Sequence, residues 1–155
     1  MSKPKVAIIM GSESDMEIMK RVADFLATVS IPSEVKVMSA HRHPEKVAAF
    51  AKNAEKNGFK VVIAGAGKAA HLPGVIAAYT TLPVIGVPIL TKDLAGVDSL
   101  LSIVQMPTGV PVATVAINGA VNAAILATQI IALADQKVNR SLKAYKKNLS
   151  GGSSK

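Results

Sequence analysis

All three histidines of this 155-residue chain, His41, His43 and His71, stand in short stretches rich in serine, glycine and alanine. In Ser39-Ala40-His41-Arg42-His43-Pro44 a serine and an arginine accompany two of them, just before a proline suited to the first position of a helix. A phosphate or carboxylate there would meet both the guanidinium and free backbone amides. In Gly65-Ala66-Gly67-Lys68-Ala69-Ala70-His71-Leu72-Pro73-Gly74 the small residues let backbone approach a flat ligand, and His71 has few polar neighbours to occupy it. An imidazole that packing does not need can carry protons. A third stretch, Gly11-Ser12-Glu13-Ser14-Asp15, supplies a turn glycine and two serines able to cap a helix whose free amides favour an anion.

Each stretch also has a plainer reading. Ser12 and Ser14 can be ordinary caps, His41 and His43 solvated or capping side chains, and the glycine-rich stretch a turn with an incidental histidine. The placement of every histidine in such a stretch is hard to attribute to packing. A two-histidine metal site at 41 and 43 lacks an acidic or cysteine neighbour, since Glu45 lies along the helix that follows. No G-x-G-x-x-G or G-x-x-x-x-G-K-[ST] pattern occurs, so dinucleotide and ATP sites lose support. The three stretches together predict an anion-holding serine, arginine and aspartate cluster beside one or two proton-transfer histidines. That chemistry fits a metal-independent isomerase or lyase acting on a small sugar phosphate or nucleotide.

For these stretches to meet, the intervening chain must fold so that its loops converge. Apolar, β-branched runs at 5–10, 34–38, 61–64, 84–87 and 112–116 predict five strands. Four are nearly continuous in apolar character, as in parallel strands covered on both faces; the second alternates and belongs nearer an edge. Between them lie helical spacings: Met16, Met19, Val22, Ala23, Leu26 and Val29 within 13–29, a segment from Pro44 to Asn57 stopped by Gly58, one after Pro73, one over 97–104, and one from about Asn118 to Leu133. The alternation predicts an α/β fold, a three-layer doubly wound parallel sheet of the Rossmann or flavodoxin kind. Ligands in such sheets bind beyond the carboxyl ends of the strands, where the three stretches fall. After Asp135 a basic segment predicts an extra C-terminal helix, giving a single domain over 1–149 and a flexible tail over 150–155.

Composition narrows the function further. With half of its residues apolar and 18% charged the chain should form a true core. It has no cysteine, which removes disulfides, thiol nucleophiles and zinc-cysteine or iron–sulfur sites. No apolar stretch approaches a membrane span and no cleavable leader is evident, so the expectation is a soluble, cytoplasmic protein with no membrane partner. The net charge of +8 favours an anionic partner. Much of that excess lies at Lys137, Arg140, Lys143, Lys146, Lys147 and Lys155 and reads as a solvated helix face. Three phenylalanines, two tyrosines and no tryptophan leave little surface for stacking bases, which counts against nucleic acid. The surplus of Ala, Val and Ile over charge suggests apolar surface kept for other subunits of a homo-oligomer.

The three stretches and a fourth, Gly96-Val97-Asp98-Ser99-Leu100-Leu101-Ser102-Ile103-Val104-Gln105-Met106-Pro107, closely resemble the N5-carboxyaminoimidazole ribonucleotide mutase family of de novo purine synthesis. The likeness runs from about Val6 to Ala134. It implies a flavodoxin-like homo-octamer that needs no cofactor. The implied reaction moves a carboxylate from the exocyclic amine of N5-carboxyaminoimidazole ribonucleotide to the ring carbon, with CO2 as a transient intermediate. By motif position, Ser12, Asp15 and Arg42 would bind the ribonucleotide, Arg42 at the phosphate and Asp15 at the ribose. Ser14, Ser39, Ala40 and the backbone of Gly67 to Leu72, with Lys68 and Ala70 among them, would line the same pocket. His41 would be the proton-transfer residue and His71 would stand beside the migrating carboxylate. Two departures are His43, where threonine is common, and Lys68, where glycine is frequent. A related class carboxylates aminoimidazole ribonucleotide directly with CO2 and differs in the third stretch. Outside that chemistry stand a non-catalytic nucleotide sensor and, from charge alone, a nucleic-acid module.

Overall fold

The computed structural model describes residues 5–151. Five strands, β1 (Lys5–Met10), β2 (Ser33–Val37), β3 (Phe59–Ala66), β4 (Val84–Pro88) and β5 (Ala113–Thr114), form one parallel sheet in the order β2-β1-β3-β4-β5. This is the flavodoxin-like doubly wound order, whose direction reverses between β1 and β3. In β1, Val6, Ile8 and Met10 enter one core cluster while Ala7 and Ile9 enter the other. That split explains why the strand carries no polar alternation: both of its faces are covered.

On the first face lie α1 (Met16–Thr28) and α5 (Ala120–Ala132), with α6 (Gln136–Gly151) packed outside them through Val138 and Leu142. A single turn of 3-10 helix, Glu13–Asp15, leads into α1. Met19, Val22, Phe25 and Leu26 of α1 are buried at three- and four-residue spacing. Ala120, Ala123, Ala124 and Ala127 give α5 a small-residue face against the sheet and α1. On the other face lie α2 (Pro44–Asn53), α3 (Leu72–Tyr79) and α4 (Val97–Val104), which bury Val47, Ala51, Leu72, Ile76 and Ile103.

Gly86 in β4 allows α4 to sit this close. A Cβ there would lie 2.3 Å from Cγ2 of Ile103, a β-branched side chain that is fully buried, and 3.0 Å from Cγ1 of Val112. Gly86→Ala is therefore expected to lower stability by about 1–3 kcal/mol through overpacking. Chemical denaturation checks this, with a midpoint shift at constant slope as the expected result.

The elements differ from the sequence reading at their ends. The fifth strand is two residues, not the run 112–116: Ala113 is exposed and Val112, Thr114 and Val115 are only half-buried, because β5 is an outer strand with one hydrogen-bonded neighbour. Helix α2 stops at Asn53, and the chain turns over 54–58, ending at Gly58 with φ +86°. Helix α6 extends through Ser150 and Gly151, the first two residues assigned to the tail, and the Ser150 hydroxyl donates to the Lys147 carbonyl at 2.9 Å. The rest of that tail, 152–155, falls outside the described residues, as does Lys155 of the basic cluster. At the opposite edge β2 carries Glu34, whose carboxylate meets Lys5 at 2.7 Å and also pairs with Lys36. Those two ammonium groups hold the Glu34 carboxyl below the usual range.

Candidate active site

The register places the ends of the central strands at one level, with Met10 opposite Gly65 and Ala66 opposite Pro88. The loops after β1, β2, β3 and β4 consequently open onto one cavity of about 470 Å³ at the topological switch point. Gly11, Ser12, Ser14 and Asp15 come from the first loop and Ser39, Ala40, His41 and Arg42 from the second. Ala66, Gly67, Lys68, Ala69, His71 and Leu72 come from the third and Thr91 from the fourth.

The first loop is a nest of hydroxyls. Ser12 caps the 3-10 turn, its Oγ accepting from the Ser14 amide at 3.3 Å and from the Ser14 hydroxyl at 2.9 Å. Asp15 is 8% exposed, and its amide donates to the Ser12 carbonyl at 3.1 Å. Burial pushes its carboxyl above the ordinary 3.8, with hydrogen bonds from Ser14 and the backbone at Ser12 opposing. A carboxyl raised in this way adds stability only while protonated, below its unfolded value, and loses it as pH climbs through the folded value. At neutral pH the ionised form is a cost. Asp15→Asn is expected to melt a few degrees above the wild type at pH 7, with the gap closing below about pH 4. Scanning calorimetry across that range checks it.

The second loop is drawn onto the first. The Arg42 guanidinium donates to the Gly11 carbonyl at 3.2 Å, and the Arg42 amide donates to Ser39 Oγ at 3.2 Å. His41 reaches across to the third loop, where its Nε2 lies 2.7 Å from Nδ1 of His71, with the rings edge to face at 84°. One nitrogen donates and the other accepts, in an order set by the tautomers of the two rings. His71 stands at the N-terminus of α3, and both rings are solvent-accessible.

Every residue expected at the site lines this cavity except Ala70, which is 1% exposed and belongs to the core cluster of α2 and α3. Its methyl is turned inward to pack the third loop. His43 is not a wall residue either: it precedes α2 as its N-cap, and its amide donates to the Ser39 carbonyl at 2.9 Å. His41 is thus paired with His71 and not with its sequence neighbour. Lys68 keeps 70% of its side chain exposed and meets Asp93 at 2.6 Å, a contact that raises the ammonium above its usual value. Its φ of +53° explains why glycine suits the position. Among the described residues no three His, Cys, Asp or Glu side chains converge as a metal site.

Thr91 was missed. It lies three residues beyond the end of β4, and applying to that strand the rule used for the other three would have found it. Gly11 was read only as a turn glycine, and Ala66 and Ala69 only as members of a small-residue run.

Comparison with known proteins now bears on this geometry. The sequence profile described as AIR carboxylase matches residues 5–151, almost the whole chain. The chain belongs to that family. Within it, the chain is 56% identical over 146 residues to N5-carboxyaminoimidazole ribonucleotide mutase of Pyrococcus abyssi, covering 94% of this chain and 84% of that one. It is likewise 56% identical to the mutase of Bacillus subtilis, covering 94% and 91%. The crystal structure of Treponema denticola PurE superposes with a TM-score of 0.88 at 31% identity, covering 96% and 93%. The family resemblance read from the four motifs therefore holds along the chain, and this family member is an isomerase of the mutase group. Among the described residues no helix is long and apolar enough to cross a membrane.

Proposed function

We propose that this chain converts N5-carboxyaminoimidazole ribonucleotide to 4-carboxy-5-aminoimidazole ribonucleotide. The observation that carries the reading is the 2.7 Å imidazole pair, His41 and His71, set in the same cavity as Ser12, Asp15 and Arg42. Arg42 and the Ser12 hydroxyl hold the phosphate, and the Asp15 carboxylate accepts from ribose hydroxyls, fixing the heterocycle toward the histidines. The carbamate N–C bond breaks to give CO2 and the electron-rich aminoimidazole. The ring carbon then attacks CO2, and loss of its proton restores aromaticity. Retaining CO2 beside the ring is the chief requirement, since an oriented pair reacts before the gas escapes. His41 gives a proton to the exocyclic nitrogen as the carbamate breaks and takes the ring proton after carbon attack, so the protein's proton count is unchanged over the cycle. His71, hydrogen-bonded to His41, orients that imidazole and faces the migrating carboxylate.

The working assembly is a homo-octamer, as the family resemblance implies. Leu94, Val97, Leu101 and Val104, between 47% and 61% exposed, form an apolar stripe on and beside α4 that supports subunit contact.

The test is an assay with freshly made N5-carboxyaminoimidazole ribonucleotide beside one with aminoimidazole ribonucleotide and bicarbonate. Conversion of the carbamate without added bicarbonate is the expected result. Activity only in the second assay would make the chain a direct carboxylase, and tight binding without turnover would make it a sensor.

A further inference from the structure

We propose that the Thr91 hydroxyl is a positioning group for the carboxylate that migrates, donating to one of its oxygens. The assignment rests on the mutase reading above and extends it to a residue that reading does not use.

Thr91 lines the cavity, yet its Oγ1 is buried and has no hydrogen-bond partner among the described residues. A buried hydroxyl left unpaired is a standing cost, and on a residue that lines a ligand cavity a χ1 turn toward the ligand gives it a partner. Gly67 supports this placement. A Cβ at Gly67 would lie 2.9 Å from the Thr91 Cγ2 methyl, so the third loop is thinned at the point where Thr91 leans against it.

The backbone leading to Thr91 is held on several sides. The Ile89 amide donates to the Ala66 carbonyl at 2.9 Å, and the Ser99 hydroxyl, buried at the start of α4, donates to the Ile89 carbonyl at 2.8 Å. The Leu90 amide donates to Asn118 Oδ1 at 2.9 Å. With the backbone so fixed, the turn about χ1 is the one motion the hydroxyl needs to meet an acceptor in the cavity.

Strand order names the acceptor. Arg42 follows β2 and Ser12 follows β1, on one side of the switch point, whereas His71 and Thr91 follow β3 and β4 on the other. A ribotide whose phosphate lies at Arg42 directs its heterocycle toward the second pair. The anionic group at that end is the carboxylate. An O–H donor can follow the carboxylate from nitrogen to carbon without exchanging protons, because it needs only an oxygen lone pair at either position.

Thr91→Val keeps the shape and the methyl contact with Gly67 while removing the hydroxyl, and Thr91→Ser keeps the hydroxyl. Affinities of each variant and the wild type for aminoimidazole ribonucleotide and for its 4-carboxy derivative separate the roles. Thr91→Val is expected to bind the carboxylated ribotide about tenfold or more weakly, to bind the carboxylate-free one unchanged, and to melt no lower than the wild type. Thr91→Ser should recover most of the loss. Equal weakening toward both ribotides, or no change toward either, overturns the assignment. Wild-type protein that binds neither ribotide overturns the mutase reading itself, and the Thr91 role with it.

Discussion

His41→Asn is expected to lower kcat by about 10²–10⁴, the usual cost of losing a positioned proton-transfer group, while leaving the unfolding midpoint nearly unchanged. The separation of activity from stability follows from where the ring sits. His41 is exposed, and its recorded side-chain hydrogen bond is the one to His71. The loop that carries it is held by other contacts, Arg42 to Gly11 and to Ser39 and the His43 amide to the Ser39 carbonyl. Asparagine ends short of the position of Nε2, so it gives up the contact with His71, and it cannot cycle a proton. Binding of aminoimidazole ribonucleotide by the variant, measured by calorimetry, should match the wild type. Turnover near the wild-type rate would remove the role assigned to His41.

Arg42→Lys should leave kcat largely intact and raise KM about tenfold, and Arg42→Ala should raise it about a hundredfold. A guanidinium can present two N–H donors to a phosphate while a further one holds the Gly11 carbonyl; an ammonium keeps the charge but not the fork. The alanine variant loses the charge as well, so its ribotide binding should also depend less on salt. Steady-state kinetics at two ionic strengths checks both. An unchanged KM for Arg42→Lys would place the phosphate elsewhere.

The parts of the fold that could be read in the sequence were those where burial on both faces forces uninterrupted apolar runs, as in β1 and β3, or where a proline sets the start of a helix, as in α2. Its least legible part was β5. Val112, Thr114 and Val115 have strand-forming side chains, but an outer strand's length depends on the neighbour it pairs with, which local composition does not encode. At the site, loop membership was legible because ligand chemistry concentrates beyond strand ends. Orientation within a loop was not: Ala70 turns inward to pack, and Lys68 takes a left-handed backbone conformation and an aspartate partner from a distant loop. Nor did adjacency in the chain predict partnership. His43 is two residues from His41, yet the ring that meets His41 comes from another strand's loop thirty positions on.

The two outer strands also constrain how copies of this chain can associate. One rim is fenced by Lys5, Glu34 and Lys36, and the other ends in a strand too brief to template a neighbour. Main-chain zippering of one sheet onto the next is thereby discouraged, which guards against fibril growth at high protein concentration. Association of copies, where it occurs, is left to helical surfaces, whose geometry is set by side-chain fit and can close on itself instead of propagating without limit.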